Sequence, residues 1–252
     1  TNSFEIYGLD NGWDDGGVLR PRIKNAFREL IDISQMTDGE VVKLIQDLQI
    51  DILVNLNGYF GEGRQNVFAF HPAPIQVNYL GFPGTLGANY MDYLIADSIV
   101  IPPDSRKYYV EKIAYMPNSY QANDSKRIIA ERQFTRAELG LPEIGFVYCC
   151  FNNNYKITPE TFDSWMRILK EVKGSVLWLI QDNPPAEKNL KAEALKRGVS
   201  PERIIFAQRL ALPEHLARHR IADLFLDTLP YNAHTTASDA LWTGLPVLTL
   251  LG

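Results

Sequence analysis

Cysteine is scarce. The 252 residues hold two, Cys149 and Cys150, and they are adjacent. Neighbours in an extended strand point to opposite faces, so the pair does not suit a structural disulfide. Two thiols without a framework fit a reducing compartment, and no signal-peptide pattern is seen, so the cytoplasm is the expected location. No apolar run reaches the ~18 residues of a transmembrane helix. Neither sign of charge dominates: 25 Lys and Arg against 30 Asp and Glu give a net charge of -5. Nucleic acid and anionic membrane are therefore not expected as partners. Familiar catalytic signatures are missing too. There is no GxxxxGK(S/T) phosphate loop, no HExxH, no GxSxG elbow and no Asp-x-Asp metal clamp, and no metal is expected. The glycines of Gly81-Phe-Pro-Gly84-Thr-Leu-Gly87 match a dinucleotide fingerprint only loosely, and Pro83 does not suit it.

What is present is ordinary globular material. Apolar residues make up 46% and charged residues 22%, enough for one large or two modest cores. Short β-like runs alternate with amphipathic stretches. In the first half the runs are Phe4–Gly8, Leu30–Ile33, Asp51–Leu56, Ile75–Leu80, Asp92–Ala96 and Lys112–Met116. Thr37-Asp-Gly-Glu40 reads as a capping box ahead of Val41, Leu44, Ile45 and Leu48 at helical spacing. In the second half they are Gly145–Phe151, Ser175–Ile180, Arg203–Ala207, Asp223–Asp227 and Val247–Leu250. Thr158 with Pro159 opens one helix, and another runs from Thr235 to Trp242 until Gly244 and Pro246 stop it. The alternation predicts an α/β fold with mostly parallel sheets. The polar stretch from Pro117 to Leu141 carries no strand signal, although Thr135-Arg-Ala-Glu138 fits a capping box for a short helix. The expected organisation is one half over 1–120, a connector over 121–140 and a second half over 141–252. The last strand has no helix after it, so the chain reads as a piece of a longer catalytic region.

Ligands of open parallel sheets sit beyond the carboxyl ends of the strands. After Phe151 come Asn152, Asn153, Asn154, Tyr155 and Lys156; after Ala207 come Gln208, Arg209, His215 and Arg218; after Asp227 come Tyr231, Asn232, His234, Thr235, Thr236 and Asp239. Cations, amides and hydroxyls thus converge on one rim. At the helix opening on Thr235, free N–H groups and a partial positive charge suit a diphosphate. His234 and the Thr235 and Thr236 hydroxyls add donors there, and Asp239, one turn in, suits ribose hydroxyls. The plain alternative is a Thr cap with a solvated Asp. Lys156 is placed to neutralise a leaving diphosphate, or is simply a surface lysine. His215 and Arg218 share a helix face and either cover a nucleobase or lie on the surface. In the first half, Asn57-Gly58-Tyr59 and the Gly81 turn follow strand ends, and a glycine turn lets backbone approach a sugar.

The chain resembles the catalytic region of O-linked N-acetylglucosamine transferases and their SPINDLY-like relatives. The matching runs are Asp51-Ile-Leu-Val-Asn-Leu-Asn-Gly-Tyr59, His71-Pro-Ala-Pro-Ile-Gln76, Leu80-Gly-Phe-Pro-Gly-Thr85, Met91-Asp-Tyr-Leu-Ile-Ala-Asp97, Phe151-Asn-Asn-Asn-Tyr-Lys-Ile157, Ser175-Val-Leu-Trp-Leu179, and His234-Thr-Thr236 with Asp239. The resemblance implies a GT-B architecture of two Rossmann-like domains, and metal-independent, inverting transfer of N-acetylglucosamine from UDP-N-acetylglucosamine to Ser or Thr of protein or peptide acceptors. It implies that Lys156 stabilises the leaving diphosphate and that Asn153, Thr235 and Thr236 contact phosphates. His234 falls at the diphosphate–sugar junction, Asp239 on the ribose, His215 and Arg218 around the base, and Leu80 and Gly81 near the sugar. Where the animal enzymes carry Gln and a ribose-contacting Lys, this chain has Asn153 and Leu212. Asn153 is shared with the plant O-fucosyltransferase branch, so GDP-fucose is the alternative donor. The family's upstream His-containing segment and helical repeats are not in the chain, which leaves a non-catalytic donor-binding or scaffold module as a third reading.

Overall fold

The computed structural model describes residues 3–12, 14, 16–61 and 63–251. The chain divides into two compact units, Thr1–Ala122 and Asn123–Gly252. Among the described residues no helix is long and apolar enough to cross a membrane.

In the first unit, β1 (Tyr7–Asp10) pairs in parallel with β2 (Glu29–Asp32), with α1 (Arg20–Lys24) between them in sequence. The strand begins later than the apolar run at Phe4 suggests. Ladder register decides this: Tyr7 lies opposite Glu29, while Phe4 is left 71% exposed. α2 (Asp38–Asp47) follows, opened by the Thr37–Glu40 capping box, and it buries Val41 and Ile45 on one face. Next come β3 (Ile52–Asn55), α3 (Gln65–Ala69), β4 (Ile75–Asn78), β5 (Tyr93–Ala96) and β6 (Lys112–Tyr115). These four strands form an all-parallel sheet in the order β3-β4-β5-β6.

The second unit holds β7 (Val147–Cys150), α4 (Pro159–Glu171), β8 (Val176–Ile180), α5 (Pro184–Lys196), β9 (Ile204–Ala207), α6 (Leu212–Arg218), β10 (Leu224–Leu226), α7 (Thr235–Trp242) and β11 (Val247–Leu248). All five strands are parallel, in the order β11-β10-β7-β8-β9. Every residue of β7 and β8 is buried, as expected of a strand covered on both faces. α4 packs Phe162, Trp165, Met166 and Leu169 against them at helical spacing. Each such side chain contributes ~1.5–3 kcal/mol on burial. Cys149 and Cys150 belong to this core, unpaired. Burial pushes the Cys150 thiol up to about 12 and that of Cys149 well above its ordinary value, so neither is a ready redox thiol.

Two sequence expectations are revised by the fold. The Thr135–Glu138 box forms, with Thr135 N donating to Glu138 Oε2 at 2.7 Å and Glu138 N to Thr135 Oγ1 at 3.2 Å. It closes only a turn, because Gly140 takes a left-handed φ of 68° within five residues and Pro142 comes soon after. Residues 123–140 are also no free connector. Ala130 N donates to Pro213 O at 3.0 Å, Arg132 to Glu214 at 3.1 Å, and Phe134 is buried, so the segment straps the second unit.

Gly145, leading into β7, has φ 128° and a position where a Cβ would lie 2.2 Å from Gly174 O. Gly145→Ala is expected to lower the unfolding free energy by about 3 kcal/mol, from backbone strain plus that contact, as read in urea denaturation.

Candidate functional site

Because the second sheet is parallel, the carboxyl ends of its strands share one rim. Asp227 leaves β10 there, and it is 8% exposed. Its Oδ1 accepts from Thr228 N at 2.7 Å, Ala233 N at 2.7 Å and Asn152 Nδ2 at 3.2 Å. Its Oδ2 accepts from Asn232 Nδ2 at 3.1 Å and Thr249 Oγ1 at 2.7 Å. One carboxylate thus ties together the exits of β7, β10 and β11 and folds the 228–234 loop over itself. The Asn232 amide also holds Leu250 O at 3.2 Å, just past the end of β11.

Asn152 is fixed by the same node. Its Nδ2 also donates to Thr228 Oγ1 at 2.8 Å, which turns its Oδ1 toward Thr236, whose hydroxyl donates to it. The Thr236 hydroxyl hydrogen is therefore already committed, and the group α7 can offer an anion at that residue is its backbone N–H. Thr235 is not the helix cap; that position is His234, at φ -112° and ψ -85°, with no side-chain cap bond. The first helical bond comes from Ser238 N to His234 O at 3.1 Å. The plain Thr-cap reading is thereby set aside, and α7 opens with N–H groups that no capping side chain takes.

Lys156 ends a 3₁₀ turn (Asn154–Lys156) held by Lys156 N donating to Asn153 O at 3.0 Å. The Asn153 side chain is exposed on this turn. Lys156 Nζ donates to Asn232 O at 3.1 Å and lies 4.0 Å from the Tyr231 ring centre. Partial burial lowers its pKa, with Asp227 and Cys150 opposing. An ammonium has three donors, so Lys156 keeps capacity for an incoming anion. Burial, then the Lys156 charge, lowers the pKa of His234 against Asp227, so that ring is neutral at pH 7.

His215 and Arg218 share a face of α6, as expected, but only His215 reaches partial exposure. Arg218 is 1% exposed, its guanidinium 4.8 Å from the Phe151 ring centre and 5.7 Å from that of Trp178. It donates to Gln208 O and to His215 Nδ1. Expected beside a base, Arg218 instead sits beneath His215, because the end of α6 packs on those aromatic rings. A guanidinium only donates, so His215 Nδ1 accepts and its proton resides on Nε2, available as a donor. His219 Nδ1 donates to His215 O at 2.7 Å. Desolvation, aided by the Arg218 charge, brings His215 down to about 3; desolvation also takes His219 to about 4.

Asp239 lies one turn into α7 and is ion-paired with Arg127, a residue that no sequence motif singles out. Asn152 was legible only as a polar residue after a strand and Asp227 only as the last residue of an apolar run; an Asp closing an apolar strand at the rim was the available signal.

In the first unit, Tyr79-Leu80-Gly81 forms a tight turn. Gly81 N donates to Tyr79 O at 3.0 Å across Leu80, whose φ is 74°, a strained value for a side-chain-bearing residue. A Cβ on Gly81 would lie 2.5 Å from Asn57 O, so the turn is packed on the Asn57 backbone. Buried Glu111 pins the next stretch of the loop, accepting from Thr85 Oγ1 and Leu86 N, each at 2.7 Å. Tyr59 donates to Leu86 O at 2.7 Å.

The two parallel α/β units have the architecture of GT-B glycosyltransferases. The glycosyl transferase family 41 model matches residues 1–134 and 133–252, and the chain belongs to that family. It is 40% identical over 253 residues to the probable UDP-N-acetylglucosamine–peptide N-acetylglucosaminyltransferase SEC of Arabidopsis thaliana, covering 98% of this chain and 26% of that protein. Over 227 residues it is 31% identical to the probable enzyme SPINDLY of Oryza sativa subsp. japonica, covering 88% of this chain and 24% of that one. A solved lysine-to-methionine mutant of the Thermobaculum terrenum O-GlcNAc transferase superposes with a TM-score of 0.88 at 33% identity, over 98% of this chain and 47% of that one. The chain thus spans about a quarter of the length of these curated relatives.

Asp227→Asn turns an amide N–H toward donors the carboxylate now accepts. It is expected to destabilise the chain by about 3 kcal/mol and to speed hydrogen exchange at the Thr228 and Ala233 amides. The lowered histidines also set a pH dependence. The unfolded chain takes up protons near pH 6.5 while folded His219 stays neutral to about 4, so stability is lost as pH falls through that window. His219→Asn, which keeps a donor for His215 O and cannot titrate, is expected to make that fall shallower in urea melts at pH 7, 6, 5 and 4.

Proposed function

We propose that the chain is the core of an inverting glycosyltransferase that moves N-acetylglucosamine from UDP-N-acetylglucosamine to Ser or Thr of protein or peptide acceptors, without a metal. The observation that carries this reading is the uncapped N-terminus of α7 beside Lys156, which is itself anchored to Asn232 in the loop leading into that helix. Charge develops on the UDP leaving group as the glycosidic bond breaks. Fixed N–H dipoles and a partly desolvated ammonium stabilise that charge more than they stabilise the intact donor, which is what accelerates a step. Neutral His234 supplies a further donor at the junction with the sugar. Asn153, Thr235 and Thr236 belong to the phosphate region, Thr236 through its N–H. His215 faces the base with Arg218 behind it, and Asp239 takes the ribose. The Leu80–Gly81 turn keeps its assignment to the sugar, supported by its strain and its fixed backbone. The names of the relatives support the donor and the peptide acceptor. The cytoplasm is the location this reading assigns.

Calorimetric titration with UDP, UDP-N-acetylglucosamine, GDP and GDP-fucose tests the donor. Binding of the uridine pair is expected; preference for the guanosine pair would overturn the reading in favour of fucosyl transfer. Lys156→Met in the full-length protein is expected to cut transfer by ~10²–10³-fold with little change in Tm. Undiminished transfer removes Lys156 from the mechanism, and a full-length protein that binds UDP yet transfers nothing is a scaffold.

A further inference from the structure

Arg127 lies on the strap of residues 123–140, which touches both helices assigned to the nucleoside. Ala130 N donates to Pro213 O at 3.0 Å and Arg132 to Glu214 at 3.1 Å, in the first turn of the helix that carries His215. Three residues before Ala130, Arg127 reaches α7. Its guanidinium donates to Asp239 Oδ1 and lies 5.2 Å from the ring centre of Trp242, three residues along the same helix face. The paired side chains are 13% and 14% exposed.

Burial disfavours charge on Asp239, and Arg127 opposes that shift. Stacking on Trp242 and pairing with Asp239 together leave the guanidinium little rotational freedom. Among the described residues no donor is bound to Asp239 Oδ2. We infer that Arg127 is a positioning residue for ribose selection: it holds the Asp239 carboxylate charged and engaged through Oδ1, which leaves Oδ2 as the acceptor for a ribose hydroxyl of the nucleoside diphosphate. This rests on the proposed donor-site reading and adds a residue outside α7 to it. A carboxylate without that partner would be held less firmly and would be a poorer acceptor for the sugar once protonated.

The test is calorimetry of the chain with UDP, 2′-deoxy-UDP and 3′-deoxy-UDP. The wild type is expected to prefer UDP over at least one deoxy form by on the order of tenfold, the worth of a hydrogen bond to a charged acceptor. In Arg127→Met that ratio is expected to fall toward one. A merely structural role for Arg127 would weaken all three ligands alike, and an unchanged ratio overturns the inference. Arg127→Lys keeps the charge but loses the planar fork; it is expected to retain part of the preference, and it serves as the readout if Arg127→Met does not fold. In an Asp239→Asn background, adding Arg127→Met is expected to change the ratio no further; a further drop shows Arg127 acting elsewhere and overturns the inference. If the wild type binds UDP without distinguishing the deoxy forms, the inference fails while the donor reading stands. If it binds no UDP, the donor reading itself fails.

Discussion

Asp227 brings a negative charge to the rim of the second sheet, and the rim is organised around it. Two backbone N–H groups, two amides and a hydroxyl converge on its oxygens from the exits of β7, β10 and β11. A carboxylate can only accept when ionised, so every group around it is turned donor-inward. Orientation then propagates outward. Asn152 must present its oxygen to Thr236, and Asn232 must present its carbonyl to Lys156. The positive end of α7 and the lysine ammonium are thereby set in place before any ligand arrives. Preorganisation of this kind avoids rearranging the dipoles at the moment charge develops on a leaving group.

A second fixed assembly supports the other end of the rim. Arg218 is desolvated between Phe151 and Trp178, and its guanidinium sets the tautomer of His215. Partly exposed His215 is thus backed by a buried partner. In the first unit the same logic appears in polar form. Asn55 Oδ1 accepts from Asn57 N and Gly58 N at 3.0 and 3.1 Å, and Gln76 Nε2 holds Phe68 O and Tyr90 O at 2.9 and 2.6 Å. Asn55 and Gln76 are therefore loop pins: Asn55 fixes the Asn57 backbone on which Gly81 packs, and Gln76 fixes the chain at Phe68 and Tyr90.

The elements were legible from the sequence because their signals are local. Apolar runs marked every strand of both units, since a parallel strand buried on its faces needs little besides period and length. The Thr37 and Thr158 caps were readable because a cap bond spans only a few residues, and the helix from Thr235 to Trp242 because Gly244 follows its last turn. The strand-exit rule also placed Lys156, His215, His234 and Asp239 on one rim of the second sheet. The first strand was shifted because pairing to β2, not apolarity, sets where its ladder begins. The turn at Thr135 showed the same limit: a capping box marks the start of a helix, and the nearby glycine decided that none would form.

Tertiary structure alone decided how the rim side chains are partnered. Arg218 and His215 look equivalent in the sequence, three apart on one helix; only packing of that helix on Phe151 and Trp178 buries one and leaves the other partly exposed. The Thr236 hydroxyl reads as a phosphate donor until Asn152, from a distant strand, claims its hydrogen. Arg127 reads as a stray cation until the strap lays it against Asp239 and Trp242. The sequence by itself determined the secondary elements, the family and the set of chemically competent side chains, because those depend on short-range periodicity and residue type. Partnership among those side chains depends on contacts between residues far apart in the chain, and those exist only once the parallel sheet has brought its strand exits together.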